Sequence, residues 1–409
     1  MSRLLLAPCN NTLSHLAKCL ALRAVLQRRG HEVLLAVAAA RAAFLERLGE
    51  KDYFVLPDIQ EADGGALPGF CWFRPERVEA VVRAEVKLLQ ELRPDAMLGV
   101  FRFTGPLSAA LAEIPYDSLI CGAMTPAFTG VLGFAADEPG AVAQAESLRF
   151  FRQACARRLQ PALQALGLPA VDDIFQLQVG RRTFLWDTPE FQPLPPTPGY
   201  CHVGPILWSG WPQPQIGLDA LDRLRGPIAF VAFGTGSAPP ALLRHLIGAL
   251  WQLGYSVALA LGGQSAAAEL PTDPTRLAVF EFLPTASILE RAALIVCHGG
   301  QLLIFEALRQ RLPVFVLPLQ PEQAQNGRCI EAMGCGLRLQ KGIVFTGASA
   351  DSEAAFIARP LAAIAGEMAD FLADASTPAR LTLAARQLSR YRGAESVADF
   401  LTAALEQAA

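Results

Sequence analysis

One alternation constrains this chain more than any other feature, and it occurs twice: a short apolar run, a turn, a helix-length segment, then another apolar run. In the first half the runs are "RLLLAP" (Arg3–Pro8), "HEVLLAVA" (His31–Ala38), "YFVLP" (Tyr53–Pro57), "PDAMLGVF" (Pro94–Phe101) and "DSLICG" (Asp117–Gly122), with helical stretches such as Leu16–Arg29 and Pro75–Leu92 between them. In the second half they are "PIAFVAFG" (Pro227–Gly234), "SVALALG" (Ser256–Gly262), "LAVFEFLP" (Leu277–Pro284), "ALIVCHGG" (Ala293–Gly300) and "PVFVLPL" (Pro313–Leu319). Strands that read as unbroken apolar runs are buried on both faces, which requires parallel sheets covered by helices on either side.

Each half therefore predicts one doubly wound, Rossmann-like parallel sheet. A chain of 409 residues also exceeds the size at which one core stops growing, so two domains are expected. The boundaries read as a first domain over 1–205, a linker over 206–226, a second domain over 227–385, and a C-terminal helix over 386–409 packing across the junction. The linker lies in or beside Pro193–Pro214, "PLPPTPGYCHVGPILWSGWPQP", whose prolines and glycines break the pattern. Two such domains facing across a cleft would bind ligands beyond the carboxyl ends of their strands.

Composition removes several function classes. With 52% hydrophobic and 18% charged residues the chain can bury a large core, and no window is apolar for long enough to span a bilayer. A net charge of −3 without a Lys/Arg block gives no general grip on nucleic acid. The nine cysteines stand singly, with no C-x-x-C pair and no zinc spacing, and read as reduced thiols. The three-leucine run near the N-terminus is too short for a signal peptide, so a cytoplasmic location is expected.

The richest segment begins at His298. A strand, then His298-Gly299-Gly300, then a helix opening at Gln301 is phosphate-binding chemistry: glycines admit a ligand close to the backbone, and unpaired N–H groups at the helix start attract an anion. Glu306, further along that helix, suits a vicinal diol because a carboxylate offers two acceptor oxygens. Glu322, Gln323 and Asn326 follow the next strand, where an acid beside an amide suits sugar hydroxyls.

These residues resemble family 1 glycosyltransferases, inverting enzymes of the GT-B fold that use nucleoside diphosphate sugars. His298, Gly299, Gly300, Glu306, Pro318, Glu322, Gln323 and Asn326 stand at the family's spacings. The resemblance implies that His298 binds the diphosphate, Glu306 the ribose, and Glu322 with Gln323 the transferred sugar. It places Phe282 beside the nucleobase, Gly234, Thr235 and Ser237 along the phosphates, and Gln301 in the same donor site. Leu302-Leu303 departs from the pattern, since the family carries a small residue and a hydroxyl there. A lone leucine pair on a helix, with Phe305, also reads as a buried stripe.

In the first half, His15 and His31 have the separation that the family shows between its catalytic histidine and the next strand, so the resemblance implies that His15 deprotonates the acceptor. A histidine that is neutral at cellular pH suits this task. The family's assisting Asp after the fourth strand is absent from "GVFRF" (Gly99–Phe103), and Asp117 and Glu113 are the nearest carboxylates in sequence. His202 and His245 have no partner evident from sequence. "GFCWFRPE" and "CGAMTPAFTGVLGF", with Phe101, supply Phe70, Trp72, Met124 and Phe128 as candidates for lining an apolar or aromatic acceptor site. The expected activity is transfer of a hexose from a UDP- or dTDP-sugar to a small-molecule hydroxyl. No metal or other cofactor is implied, because the chain has no Asp-x-Asp pair. The alternatives are a non-catalytic homologue serving as partner or activator, and a GT-B-fold isomerase or hydrolase of the nucleotide sugar.

Overall fold

The structure is a computed structural model that describes residues 1–60, 68–211, 218–234, 238–262, 269–342 and 349–408. It contains two compact units: one of residues 1–129, 146–208 and 391–409, the other of residues 130–145 and 209–390.

The first unit is built on a seven-stranded sheet: β1 (Arg3–Pro8), β2 (Glu32–Ala38), β3 (Phe54–Leu56), β4 (Ala96–Val100), β5 (Tyr116–Ile120), β6 (Thr183–Leu185) and β7 (Tyr200–His202). Its order is β3-β2-β1-β4-β5-β6-β7, and every pairing is parallel. The second unit carries β8 (Ile228–Ala232), β9 (Ser256–Ala260), β10 (Leu277–Phe280), β11 (Ala292–Cys297), β12 (Val314–Val316) and β13 (Gly336–Arg338) in the order β10-β9-β8-β11-β12-β13, again all parallel. In each sheet the first strand sits between strands reached by crossovers in opposite directions. The strand order therefore reverses beside β1 and β4, and beside β8 and β11, leaving a crevice at the carboxyl ends.

The long apolar runs form the expected strands with ends shifted by up to four residues, the largest change being β10, which stops at Phe280 where the run reached Pro284. β6, β7 and β13 come from no run read in the sequence. Each has only three residues, and β7 lies inside the stretch read as a linker, where Gly199 and Gly204 flank it at positive φ. Neighbouring strands create these elements by pairing, since Thr183, Phe184 and Leu185 lie between β5 and β7.

The units also divide the chain differently from the expected boundaries. Residues 130–145 leave the first stretch of sequence for the second unit, and the expected C-terminal element 386–409 divides at Tyr391. The last helix, Ala394–Ala408, packs on helix Leu13–Arg28 within the first unit, where Arg29 pairs with Glu395 at 2.7 Å and with Asp399 at 2.8 Å. Helix Leu13–Arg28 is buried around most of its circumference, from His15 to Leu26. That burial holds its N-terminal turn, where Thr12 makes no side-chain cap.

Candidate active site

In the second unit the turn after β11 meets the turn after β8. Gly299 has φ +99, and a Cβ there would lie 2.6 Å from the Gln323 carbonyl oxygen and 2.9 Å from Val316. Only glycine suits both the conformation and the space. A Cβ on Gly300 would lie 2.7 Å from His298 Nε2, and one on Gly234, at φ +62, would lie 3.2 Å from the same ring's Cε1. Gly234 and Gly300 thus clear a slot for the His298 imidazole at the start of helix Gln301–Arg309, while Gly299 lets the turn pack against Gln323 and Val316. Thr235 and Ser237 lie outside the described residues. His298 Nδ1 is buried without a hydrogen-bond partner. Burial pushes this histidine's pKa down to about 4, opposed by the Ala232 carbonyl, so at neutral pH it is an uncharged N–H donor. The positive field at this turn comes from the helix N-terminus.

The amide and acid residues of helix Pro321–Ala332 hold that turn in place. Asn326 is fully buried; its Nδ2 donates to the Gly299 carbonyl at 2.8 Å and to Glu322 Oε1 at 2.7 Å, while its Oδ1 accepts from Gln301 Nε2 at 3.0 Å. Asn326 and buried Gln301 therefore act as braces for the turn. Gln323 Oε1 accepts from the Leu319 N–H at 2.9 Å, leaving Nε2 as the donor end of that amide. Glu322 and Gln323 both stand in the first turn, where Pro321 opens the helix.

Glu306 lies further along helix Gln301–Arg309. Burial pushes its pKa up to about 7, against the Thr285 hydroxyl and Arg309, so it is about half ionised at neutrality. Phe282 is 41% exposed, with its ring centroid 6.0 Å from that of Trp211, and is free to offer a face to a planar ligand. The buried stripe of the helix is Gln301, Ile304, Phe305, Ala307 and Leu308. Leu302 and Leu303 are half-buried, so the reading of them as part of the stripe holds for Phe305 alone. At about 100° per residue the two leucines each fall about 130° from the centre of that stripe, on the other side of the helix.

In the first unit, His15 is 7% exposed near the start of the helix that follows β1. Its Nδ1 lies 2.9 Å from Cys9 Sγ. The ring stacks on Phe101 at 5.3 Å and 22°, and tilts against Trp186 at 5.5 Å. Phe101 adopts the left-handed region at φ +52, an uncommon state for an aromatic residue, and is held there by its N–H bond to the Leu119 carbonyl. Burial, then Lys18 and Arg41, push the His15 pKa well below its ordinary value, so the imidazole is neutral.

Neither carboxylate suggested by sequence reaches His15. Asp117 is fully buried and paired with Arg181 and Arg182, and Glu113 is exposed at a helix end. Among the described residues the group on Nδ1 is the Cys9 thiol, which burial and Asp58 keep protonated by raising its pKa. Beneath it, buried Arg102 donates to Glu85 at 2.8 Å, to Asp58 at 3.2 Å and to the Pro8 carbonyl at 2.9 Å, while Asp58 accepts from the Asn10 N–H at 3.0 Å. This ion cluster fixes the loop that carries Cys9.

Of the proposed acceptor residues, Phe101 touches His15 and leads to Phe103 at 5.4 Å and Phe73 at 5.0 Å. Phe70 instead lies under Arg158, and Trp72, Met124 and Phe128 are half-buried with no described contact to His15. Sequence reading missed Cys9 and Trp186. Cys9 carried a signal, as the first residue after a strand; Trp186 follows β6, which had none. His202 does have a partner, Asp187 Oδ1 at 3.3 Å, and His245 Nε2 meets the Arg359 carbonyl at 2.9 Å. No group of metal-ligating side chains occurs among the described residues, and no described helix is long and apolar enough to cross a membrane.

Residues 245–342, which include the His298 turn and helix Pro321–Ala332, match the family model described as glycosyltransferase family 28 C-terminal domain. The chain is 27% identical over 349 residues to a PGL/p-HBAD biosynthesis rhamnosyltransferase of Mycobacterium bovis, an alignment covering 80% of this chain and 75% of the relative. Among solved structures it resembles the glycosyltransferase of kitacinnamycin, with a TM-score of 0.74 and 19% identity over 98% of both chains. It also resembles the glycosyltransferase VinC in complex with dTDP, with a TM-score of 0.65 and 15% identity over 99% of this chain and 100% of that one. Twin parallel sheets, the motif spacing and these likenesses agree: the chain has the GT-B fold and is similar to glycosyltransferases.

Proposed function

We propose that the protein transfers a hexose, with inversion, from a UDP- or dTDP-sugar to a hydroxyl of a small, largely apolar or aromatic acceptor, without a metal. The acceptor oxygen forms a bond to the anomeric carbon as the bond from that carbon to the diphosphate oxygen breaks, its electron pair leaving with the nucleoside diphosphate. The acceptor proton passes to His15 Nε2, because Nδ1 faces Cys9. Charge on the leaving diphosphate is met by N–H groups at the start of helix Gln301–Arg309 and by the neutral His298 ring. Glu306 takes the ribose, Phe282 the base, and Glu322 with Gln323 the sugar.

The observation that carries this reading is the slot cleared for His298 by Gly234 and Gly300 at the reversal of strand order. The dTDP bound by VinC, a neighbour in fold, supports a nucleoside diphosphate there. The rings of Phe101, Trp186, Phe103 and Phe73 around His15 support an apolar acceptor. A second reading, a weakly active homologue, draws on the thiol that faces His15 in place of a carboxylate, since a thiol gives an imidazolium little stabilisation. Radiolabelled UDP- and dTDP-hexoses with a panel of phenols and hydroxylated polycycles test the proposal. Label should enter an acceptor with the wild type and not with His15→Ala. Equal transfer by His15→Ala overturns the base assignment, and donor cleavage independent of any acceptor points to a hydrolase.

A further inference from the structure

The segment 130–145 is flanked in sequence by residues of the first unit yet belongs to the second, where it lies along helix Pro321–Ala332. Its attachment is specific. Arg338 of β13, 6% exposed, donates from Nη2 to Glu138 Oε1 at 2.7 Å and from Nη1 to the Gly133 carbonyl at 2.7 Å, while its Nε holds Glu331 at 2.7 Å. The Gly133 N–H donates to Gln325 Oε1 at 3.2 Å, and Arg328 donates to the Phe134 carbonyl. Gly133 has φ +84, and a Cβ there would lie 2.9 Å from Ala324 Cβ and 3.2 Å from the Pro321 carbonyl oxygen. Gly327 makes room for the clamp, since a Cβ on it would lie 2.5 Å from Arg338 Cγ. Leu132 and Phe134 of the segment are themselves buried.

Helix Pro321–Ala332 is thus held from two sides. Ala324, Gln325 and Arg328 meet the 130–145 segment, and Asn326, with Glu322, meets the His298 turn. Its N-cap, Gln320, makes no side-chain cap bond, so the end bearing Glu322 and Gln323 depends on these lateral holds.

We propose that the segment 130–145, clamped through Glu138 to Arg338, is a positioning element for Glu322 and Gln323, and so governs how tightly the sugar of the donor is held. This rests on the donor-site reading above. Glu138 is a positioning residue: it acts through Arg338 and the helix, and touches no substrate. Burial raises its pKa, but Arg338 and the Ala135 N–H outweigh that and hold it below the usual carboxylate range, so the clamp is charged at neutral pH. The His298 turn and Glu306, which serve the nucleoside diphosphate, lie on a different helix.

The test compares the Kd of a UDP- or dTDP-sugar with that of the matching free nucleoside diphosphate in wild type, Gly133→Ala and Glu138→Gln. Gly133→Ala, which pushes the segment off Ala324, should weaken the sugar nucleotide about tenfold and the free diphosphate less than about twofold. Glu138→Gln keeps its size and should fold even where Gly133→Ala does not; it should move the same ratio in the same direction by about threefold. A loss shared equally by both ligands, or no loss in either, overturns the proposal, because a merely structural clamp lowers stability without changing the ratio. Failure of the wild type to bind either ligand would instead remove the donor-site reading.

Discussion

Glu306 gives the donor site a pH dependence that can be worked from its surroundings. Burial raises its pKa to about 7, and His298 titrates at about 4, so Glu306 is the donor-site group expected to change charge between pH 6 and 8. With a pKa of about 7 it is about one-tenth ionised at pH 6 and about nine-tenths at pH 8. A carboxylate accepts from both hydroxyls of a ribose, whereas a carboxylic acid loses one acceptor position to its own proton. If the ionised form is the binding form, a nucleotide sugar should bind about tenfold more tightly at pH 8 than at pH 6, about 1.4 kcal/mol. The diphosphate of a nucleotide sugar stays charged across that range and adds no slope. Isothermal titration at pH 6, 7 and 8, in buffers of differing ionisation heat, should also show proton release on binding below pH 7. Glu306→Gln should bind weakly and without slope. A flat wild-type profile, or a slope that survives in Glu306→Gln, refutes the reasoning. The same shift has a sign for stability: a carboxyl whose folded pKa is raised contributes fully below about pH 4.5, and that contribution is lost as pH rises through about 7.

Three further outcomes follow from the same geometry. Asn326→Ala should cost about 1–3 kcal/mol by leaving the buried Gly299 carbonyl without its donor, and should raise the KM for donor; urea unfolding and donor kinetics check this. Arg102→Met should destabilise by about 3–5 kcal/mol, because Glu85 and Asp58 are left as buried charges without their partner; a small loss in urea unfolding would show that the cluster is dispensable. Leu303→Thr restores a hydroxyl at a half-buried position and should tighten nucleoside diphosphate binding by up to about tenfold, with unchanged affinity counting against diphosphate contact at that position.

The parts legible in the sequence were those whose information is local. β1, β8 and β11 declared themselves as apolar runs of five or six residues, and His298, Glu306, Glu322 and Asn326 lie within one strand-helix-strand-helix stretch, where fixed offsets carry meaning. β7 could not be read, because Tyr200-Cys201-His202 is a strand only through its pairing with β6. The surroundings of His15 were hidden for the same reason. Cys9, Phe101 and Trp186 follow three different strands, and only the sheet order brings them together. Leu302 and Leu303 were legible as a departure from the family pattern, but their half-burial depended on the phase of a helix whose stripe is set by Ile304 and Phe305. The clamp between Glu138 and Arg338 joins positions far apart in sequence and had no local signature.

The most direct test of the account is the melting temperature of the protein with saturating UDP and, separately, dTDP. Ligand at about 100 times its Kd adds about 2.7 kcal/mol to the folded state, which for units of this size is a rise of several degrees. The account predicts that rise with at least one of the two nucleotides and its loss in Glu306→Gln with Gly300→Ala. An unchanged melting temperature with both nucleotides would contradict it.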